Sequence, residues 1–330
     1  MRIGVIGVGR MGAVHARTLG SLGDVEVLIS DEQQDLAEKV GAELGLDVAP
    51  SQAALWRGID AVVIAAPTDV HADLIRSALA AEKPAFCEKP ISLDLESTVD
   101  VMERVEASGI PFQMGFQRRF DPGYRAARDV VADGSLGSLY AVRMAGHDPS
   151  PPPEAYISAS GGLFVDFSVH DFDVLRYVTG REVEEVYADG SVIDFPVFAK
   201  YNDVDTAVAT LRLTSGALGI LSVTRSNPLG YDIRMELLGS GDHIVVGGDE
   251  RAALRSVEPG AEPSSAIPYA NFQERFTIAY REEMVAFVDV ARGRRESPCT
   301  ARDALEAMRV ALACTRSRNE RRPVRVEEVK

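Results

Sequence analysis

The chain has 330 residues, a length that allows two domains with buried cores at about 150 residues per domain. Apolar residues make up 46% and charged residues 26%, a balance that fits neither a disordered chain nor a membrane protein. The 35 basic and 50 acidic residues give a net charge of −15, which repels phosphate, so we expect no nucleic-acid partner.

The cysteines and the amino-terminal residues bear on the cellular compartment. Cys87, Cys299 and Cys314 are widely separated and form no CxxC pair, so we expect neither a disulfide framework nor a metal site. The first apolar run is too short for a signal peptide, and no run approaches the ~20 residues of a membrane span. We therefore expect a cytoplasmic protein with no membrane association.

Short apolar runs alternate with amphipathic stretches from residue 2 to about residue 120. The predicted strands are 3–6, 25–29, 61–66, 84–87 and 111–115. The predicted helices are 13–22, 33–44, 70–81 and 93–107. Continuous apolar strands are buried on both faces, as in a parallel sheet covered by helices. The pattern predicts an α/β fold in which residues 1–121 form a doubly wound parallel sheet.

The pattern changes after about residue 135. A helix is predicted at 163–178, followed by strands at 182–193, 206–214, 217–224 and 232–239 and by helices at 276–291 and 301–317. Turns such as Ser215-Gly216 and Ser240-Gly241 indicate a meander of antiparallel strands. Residues 122–330 are therefore predicted to form an α+β domain with a large, mostly antiparallel open sheet. Segment 247–271 is predicted to be irregular, and its pattern assigns it no role.

A glycine-rich turn follows the first predicted strand. Gly7, Gly9 and Gly12 have the GxGxxG spacing, and Arg10 and Met11 lie within it. Glycines at these positions allow a tight turn and close approach of a pyrophosphate, which the following helix amino terminus stabilises. The context predicts a Rossmann dinucleotide-binding domain in which these five residues contact the cofactor. The alternative is a glycine-rich turn without a ligand.

A carboxylate closes the second predicted strand. Asp31 lies 19 residues after Gly12, where it can accept hydrogen bonds from the adenosine ribose hydroxyls. Its charge opposes a 2′-phosphate, so NAD is predicted rather than NADP. The alternative is a solvated acidic turn formed with Glu32.

A lysine follows the predicted strand 84–87, in the sequence Glu88-Lys89-Pro90. Open α/β sheets bind ligands beyond the carboxyl ends of their strands, so Lys89 is a candidate to reach the nicotinamide. A lysine before proline is also a common solvated loop residue. The sequence does not decide whether the bond to Pro90 is cis or trans.

Acidic residues and a histidine share one side of the predicted helix 163–178. Asp166, His170 and Asp173 are spaced i, i+4 and i+7, while apolar residues occupy the other side. A carboxylate one turn from a histidine can orient the ring and support its protonated form, as a base acting on a hydroxyl requires. A surface or capping ion pair is the alternative. Zinc is less favoured, because the five histidines include no HxxxH pair.

These motifs together resemble those of the Gfo/Idh/MocA oxidoreductases over essentially the whole chain. The motifs are GVGRMG, Ala66-Pro67-Thr68-Asp69-Val70-His71, Glu88-Lys89-Pro90, Gly115-Phe116-Gln117-Arg118-Arg119-Phe120-Asp121 and the run 161–180. Within the family, the Asp166, His170 and Asp173 set, Asp205-Thr206-Ala207 and Gly230-Tyr231-Asp232 are most similar to inositol 2-dehydrogenases.

The resemblance implies roles for individual residues. It implies that Lys89, Asp166 and His170 are catalytic and that Asp173 faces the substrate. It also implies cofactor contacts from Pro67, Thr68, His71, Glu88, Lys89 and Gln117, and substrate contacts from Arg118, Asp148 and Tyr231.

Two stretches depart from the inositol dehydrogenase pattern. The chain has Leu229-Gly230-Tyr231-Asp232 in place of Tyr-Gly-Tyr-Asp, and His147-Asp148-Pro149 in place of Arg-Asn-Pro. We therefore expect Asp148 to accept a hydrogen bond from substrate, and a different polyol or sugar stays open as the substrate.

We expect NAD-dependent oxidation of a secondary alcohol of a cyclic polyol or sugar to a ketone. His170 would take the hydroxyl proton, Asp166 would orient it, and Lys89 would stabilise the substrate oxygen. Three alternatives stay open: a reductase of a keto-sugar or related carbonyl, a non-catalytic NAD sensor, and a sugar-binding module.

The second predicted sheet also bears on assembly. Leu218, Ile220, Leu221 and Val223 place apolar side chains on both of its faces. One layer of helices covers only one face, so we expect a homo-oligomer, either a dimer or a tetramer.

Overall fold

The computed structural model describes residues 1–261 and 267–330 and divides into two compact units. The first comprises Met1–Phe120 with Ile278–Leu305, and the second comprises Asp121–Thr277 with Glu306–Lys330. The first unit thus contains a late segment that a single division after residue 121 leaves out. Residues 262–266, part of the segment predicted to be irregular, lie outside the described residues.

The first unit contains a six-stranded sheet whose neighbouring strands are all parallel. Its strands are β1 (Arg2–Ile6), β2 (Glu26–Ser30), β3 (Asp47–Val48), β4 (Ala61–Ile64), β5 (Ala85–Glu88) and β6 (Phe112–Gly115). Its helices include α1 (Arg10–Gly20), α2 (Gln34–Leu44), α3 (Gln52–Gly58), α4 (His71–Ala80) and α5 (Leu95–Ser108). The order β3-β2-β1-β4-β5-β6 reverses direction at β1, and the predicted doubly wound sheet is confirmed.

Helix α5 shows how local sequence sets the ends of a helix. Asp94 precedes it and accepts a hydrogen bond from the N–H of Ser97 at 2.7 Å, which stabilises the helix start by about 1 kcal/mol. Gly109 follows it with φ of 66°, the left-handed conformation in which helices commonly end. The helix therefore begins two residues later than the predicted stretch 93–107 and ends one residue later.

The second unit contains a seven-stranded, mostly antiparallel sheet, which confirms the predicted fold class. Its strands are β7 (Leu139–His147), β8 (Val183–Ser191), β9 (Thr206–Leu213), β10 (Leu218–Thr224), β11 (Asp232–Gly239), β12 (His243–Val246) and β13 (Val324–Arg325). The order is β12-β11-β7-β10-β9-β8-β13. The predicted simple meander is wrong at one place, because β7 lies between β10 and β11 and pairs with β10 in parallel.

The strands of this sheet bury one face and expose the other. In β10, Leu221 and Val223 are completely buried, whereas Leu218 and Ile220 are about half exposed. Paired positions on neighbouring strands place Tyr187, Val208 and Val245 on the same exposed face. The second unit therefore has an exposed sheet face with apolar side chains from β8, β9, β10 and β12.

Helices accompany this sheet, and one of them differs from the prediction. They are α6 (Pro122–Ala132), α7 (Glu154–Ile157), α8 (Val169–Thr179) and α9 (Phe272–Arg275). The predicted single helix 163–178 begins instead with a π-helical turn over Phe164–Ser168, followed by α8. π-Helical turns are rare and occur frequently at functional sites.

Helices α10 (Thr277–Ala291) and α11 (Ala301–Glu320) lie between β12 and β13 in the chain. Met284, Phe287 and Val288 of α10 belong to the buried core of the first unit, together with Phe86 of β5. The amide of Gln113 in β6 also donates a hydrogen bond to the carbonyl of Glu283 at 3.1 Å. The late segment of the chain thus completes the first core. No helix in residues 1–261 or 267–330 has the length and apolar character needed to cross a bilayer.

Candidate functional site

The glycine-rich turn between β1 and α1 has the geometry of a phosphate cradle. Gly7 has φ of 85°, and a Cβ there would lie 2.5 Å from Cα of Ala66. A Cβ on Gly12 would lie 1.8 Å from the carbonyl oxygen of Gly7. Nothing lies within 4 Å of a Cβ position on Gly9, which is exposed at the start of α1 beside Arg10 and Met11. The backbone therefore leaves no room for a side chain at Gly7 and Gly12, whereas the space beside Gly9 is open to an approaching pyrophosphate.

Asp31 links the end of β2 to this turn. Its Oδ2 atom accepts a hydrogen bond from the N–H of Val8 at 2.8 Å, and Oδ1 accepts one from Gln33 at 2.9 Å. A carboxylate has about four acceptor positions, so two backbone bonds leave capacity for ribose hydroxyls. Asp31 therefore fixes the turn and stands at the position predicted for ribose recognition. Its neighbour Glu32 is exposed.

The loop after β4 carries three residues implied to touch the cofactor. Pro67 is exposed, and Thr68 is half-buried at the start of a short 3₁₀ turn. His71 is buried, with Nδ1 2.7 Å from the carbonyl oxygen of Pro90 and Nε2 2.8 Å from that of Ala66. The structure thus places His71 against main-chain carbonyls of the loops after β4 and β5.

Lys89 follows β5 directly and is half-buried. The peptide bond between Lys89 and Pro90 is cis. Oε2 of Glu88 accepts a hydrogen bond from the N–H of Lys89 at 3.2 Å, and Oε1 lies 2.7 Å from Nε2 of His15. Sequence reasoning missed His15, although its position on the buried side of α1 is a signal that helical periodicity provides.

Gln117 and Arg118 lie in a 3₁₀ turn after β6. Both are almost completely buried, with 4% and 2% of their surfaces exposed. Their positions follow the carboxyl end of β6, as the predicted cofactor and substrate roles require, and those roles stay predictions.

In the second unit, Asp166 accepts two strong hydrogen bonds. The hydroxyl of Tyr156 donates to Oδ1 at 2.7 Å, and Nη2 of Arg225 donates to Oδ2 at 2.7 Å. Nη1 of Arg225 also donates to Oδ2 of Asp148 at 3.1 Å. Burial lowers the pKa of Arg225, but the charges of Asp166 and Asp148 outweigh it and raise that pKa, so the guanidinium stays charged.

These contacts define an acidic cluster of Asp148, Asp166 and Arg225. Two carboxylates and one guanidinium give it a net charge of about −1 at neutral pH. Asp148, which we expected to accept a hydrogen bond from substrate, accepts one from Arg225. Sequence reasoning missed both Arg225 and Tyr156, which lie 59 and 10 residues from Asp166 in the chain.

His170 and Asp173 lie on α8, directly after the π-helical turn that contains Asp166. His170 is half-buried, and Asp173 is completely buried. A π-helical turn closes after five residues instead of four, so it changes the angle between Asp166 and His170 that regular α-helix would give. Lys89 belongs to the first unit, whereas these three residues belong to the second. Their joint catalytic role stays a prediction.

Tyr231 precedes β11 and is buried. Its ring stands edge-on to Phe276 at a centroid separation of 6.4 Å, and its N–H donates to the carbonyl of Tyr269 at 2.8 Å. The predicted contact of Tyr231 with substrate is not tested by these interactions and stays a prediction.

A cavity of about 440 Å³ opens in the second unit beside His147 and Asp232. Nδ1 of His147 lies 3.2 Å from Oδ2 of Asp232, and Arg234 donates two hydrogen bonds to the same carboxylate. Burial raises the pKa of Asp232, but these bonds outweigh it and hold that pKa below its usual value. Neither Asp166 nor His170 lines this cavity.

Residues 1–261 and 267–330 contain no set of three or more His, Cys, Asp or Glu side chains placed to hold a metal ion.

The doubly wound sheet, the glycine cradle and the carboxylate after β2 define a dinucleotide-binding protein of the Rossmann class. Residues 1–116 match the family model described as an oxidoreductase family with an NAD-binding Rossmann fold. Residues 124–245 match the GFO/IDH/MocA C-terminal domain. The chain belongs to the GFO/IDH/MocA oxidoreductase family. The predicted family and the prediction of NAD as cofactor are confirmed.

Individual relatives are similar over the whole chain. A myo-inositol 2-dehydrogenase from Thermotoga maritima is 36% identical, covering 100% of this chain and 99% of the relative. The crystal structure of a probable dehydrogenase from the same organism has a TM-score of 0.93 at 35% identity, with 100% of both chains covered. The structure of scyllo-inositol dehydrogenase from Lactobacillus casei with bound NAD(H) and scyllo-inositol has a TM-score of 0.88 at 30% identity, covering 99% of this chain and 99% of that one.

Proposed function

We propose that this protein oxidises a secondary alcohol of a cyclic polyol, with inositols as the first candidates, to the corresponding ketone with NAD. The observation that carries the proposal is the acidic cluster of Asp148, Asp166 and Arg225, whose Asp166 lies four residues before His170 in the chain. Charged donors and acceptors suit a substrate rich in hydroxyls better than an apolar pocket does. The names of the full-length relatives support inositols as that substrate class.

Alcohol oxidation moves a proton and a hydride from the same substrate. NAD, when bound, supplies the nicotinamide ring that accepts the hydride. His170 takes the hydroxyl proton on a ring nitrogen, because the carbonyl product does not retain it. Lys89 donates a hydrogen bond to the same oxygen while negative charge develops there. Asp166 orients His170, and Asp173, Arg118 and Tyr231 contact the substrate.

The charge of the acidic cluster favours this proton transfer. The carboxylate of Asp166, four residues before His170, favours the positive charge that the ring acquires when it is protonated. Arg225 and Tyr156 hold Asp166 in one orientation, so the carboxylate needs no rearrangement during the reaction. The cluster thus favours a base that becomes cationic.

The cofactor portion of the site uses residues of the first unit. The glycine-rich turn, with Arg10 and Met11, would hold the pyrophosphate. Asp31 would accept hydrogen bonds from the ribose hydroxyls. Thr68 and Gln117 follow β4 and β6, and Glu88 is the last residue of β5, so all three lie near the carboxyl ends of the strands, where ligands of open α/β sheets bind.

A substrate panel tests the proposed function. The purified protein is assayed by nicotinamide absorbance with myo-inositol, scyllo-inositol and aldoses, each with NAD and NADP, and with the keto products in reverse. We expect turnover of at least one inositol with NAD. Tight NAD binding without turnover of any polyol or sugar would overturn the proposal.

The exposed apolar sheet face supports a homo-oligomer. Leu218 and Ile220 are about half exposed, and the neighbouring strands add Tyr187, Val208 and Val245. Such a patch is typical of subunit interfaces. We expect a dimer or tetramer by light scattering at micromolar concentration and a smaller species for Ile220→Asp. A monomeric unmodified protein would contradict this assembly.

The cysteines support a cytoplasmic location. Cys87, Cys299 and Cys314 are buried, and none of them forms a disulfide. Burial raises the pKa of Cys87 and of Cys314, so both thiols stay protonated and unreactive. Buried thiols with no disulfide suit a reducing compartment.

A further inference from the structure

His15 joins the helix that begins at the glycine-rich turn to the strand that ends before Lys89. Its ring is completely buried, and Nε2 lies 2.7 Å from Oε1 of Glu88. The ring stands edge-on to Phe86 and Tyr280, at centroid separations of 5.2 and 6.0 Å. The polar contact of His15 is therefore made inside an aromatic environment, where it is protected from competing water.

The contact determines which nitrogen of His15 carries a hydrogen. A carboxylate only accepts hydrogen bonds, so Nε2 must donate to Glu88. Nδ1 is buried and has no hydrogen-bond partner among the described residues. The ring therefore directs its donor toward Glu88.

The carboxylate of Glu88, which His15 holds in place, also binds the backbone N–H of Lys89. While Oε1 is held by His15, Oε2 accepts the N–H of Lys89 at 3.2 Å. Only 14% of the Glu88 side chain is exposed, so water competes weakly for these bonds. A single carboxylate thus ties α1 to the backbone at Lys89.

His71 holds the other side of Lys89. Nδ1 lies 2.7 Å from the carbonyl oxygen of Pro90, and Nε2 lies 2.8 Å from that of Ala66. A carbonyl oxygen only accepts and a neutral ring has one N–H, so His71 donates to one of these oxygens at a time while its ring lies between the loop of Lys89 and the loop after β4. The backbone before and after Lys89 is held by a buried histidine on each side.

We propose that His15 and His71 are positioning residues for Lys89. The inference rests on the proposed function, in which Lys89 bonds to the substrate oxygen. A lysine side chain is long and flexible, so a fixed backbone limits the volume in which its ammonium group moves. The two histidines act through Glu88 and through the carbonyl oxygens of Pro90 and Ala66, without contact to substrate.

Variants of His15 separate positioning from general stability. For His15→Leu we expect kcat with myo-inositol and NAD to fall by about 10- to 100-fold, because misplacement by ~1 Å has effects of this size. The dissociation constant for NAD should change by less than about threefold, since the cradle itself is intact. His15→Gln, whose amide replaces the Nε2 donor, should recover kcat to within about fivefold. The side chain in His15→Asn is one methylene too short to reach Glu88. This variant therefore replaces His15→Leu in the test if the leucine variant does not fold.

Gln113→Leu is the matched control. It removes another buried hydrogen bond of the first unit, from the Gln113 amide to the Glu283 carbonyl, and leaves the loop of Lys89 unchanged. We expect a lower melting temperature for this variant with kcat within about threefold of the unmodified protein, because the bond it removes joins β6 to α10 and does not involve the loop of Lys89. An equal loss of kcat in Gln113→Leu, or a normal kcat in His15→Leu, would overturn the proposal.

A double-mutant cycle with Lys89→Met makes the test specific. If His15 acts through Lys89, adding His15→Leu to Lys89→Met should lower kcat by no more than about twofold, because the group it positions is already absent. If the double variant instead loses a further ~10- to 100-fold in kcat relative to Lys89→Met, His15 does not act through Lys89. Near-normal kcat in Lys89→Met would remove Lys89 from the catalytic set and the positioning role with it. Failure of the proposed function can be distinguished from failure of the positioning role, because in the first case the unmodified protein would oxidise no polyol.

Discussion

Nη2 of Arg225 lies 2.7 Å from Oδ2 of Asp166, and both side chains are buried. Replacing Arg225 with Gln removes the cation that pairs with the buried carboxylate of Asp166, and breaking a buried pair in this way typically costs about 3–5 kcal/mol. We expect urea denaturation to show a loss of this size in the free energy of unfolding. Lys200→Gln removes the exposed pair with Glu154 and should cost less than about 1 kcal/mol. Equal losses in the two variants would contradict the importance of the buried pair.

His170→Ala tests the proposed base. We expect turnover to fall by at least ~100-fold, because general bases contribute about 10²- to 10⁴-fold. Calorimetry should show an unchanged affinity for NAD, since His170 lies outside the unit that holds the cradle. His243→Ala replaces an exposed histidine of β12 and should leave turnover unchanged. Turnover close to normal in His170→Ala would reject this residue as the base.

Asp31→Ala should reduce the preference for NAD over NADP. Loss of the carboxylate removes an acceptor for the ribose hydroxyls and the repulsion of a 2′-phosphate, which we expect to narrow the preference by about 1 kcal/mol or more. The N–H of Val8 also loses its acceptor, so affinity for both cofactors should fall. Titration calorimetry with each cofactor measures both effects, with Glu32→Ala as the neighbouring control. Equal use of NAD and NADP by the unmodified protein would reject this role of Asp31.

Asp205→Asn tests a carboxylate that holds the loop between β8 and β9. Asp205 is buried and accepts hydrogen bonds from the N–H groups of Ile193, Asp194 and Phe195 at 2.9 to 3.0 Å. Burial raises its pKa, but these bonds outweigh it and lower the pKa below the usual value. At pH 7 we expect the variant to lose about 2–4 kcal/mol, because hydrogen bonds to charged groups contribute about 1.5–3 each.

The pH dependence of this loss follows from the lowered pKa. The contribution of Asp205 is fully present above the unfolded pKa of about 3.9 and disappears as the pH falls through the lower folded pKa. Urea denaturation from pH 7 downward should therefore show that the free energies of unfolding of the unmodified protein and of Asp205→Asn converge at acidic pH. Asp194→Asn, an exposed change in the same loop, should have no such effect. A difference that is constant with pH would contradict the role of the charge.

The sequence predicted the parallel sheet well because its strands carry a strong local signal. The run 61–66 predicted β4, whose four residues are all buried. β7 was missed although exposed Arg143 stands between buried Val142 and Met144, the alternation of a half-buried strand, and its place between β10 and β11 could not be predicted because these partners are distant in the chain. Pairing between distant segments gives no local pattern.

The site was predicted less completely than the fold. Asp31 and Lys89 follow strands, so the topology of the sheet places them. The contacts of Arg225 with Asp166 and of His15 with Glu88 join residues 59 and 73 positions apart, and no spacing rule connects them. The π-helical turn before α8 was predicted as regular helix because the hydrophobic periodicity of 163–178 fits both.

The late position of α10 in the chain has a consequence for biosynthesis. Residues 1–120 emerge from the ribosome long before Met284, Phe287 and Val288, which fill the core around Phe86. At about 5–20 residues per second, the intervening 157 residues of 121–277 take roughly 8–30 s to synthesise. During this interval the nascent nucleotide-binding unit presents an unfilled apolar groove. A protein truncated after residue 120 would retain that groove permanently and would therefore be expected to aggregate.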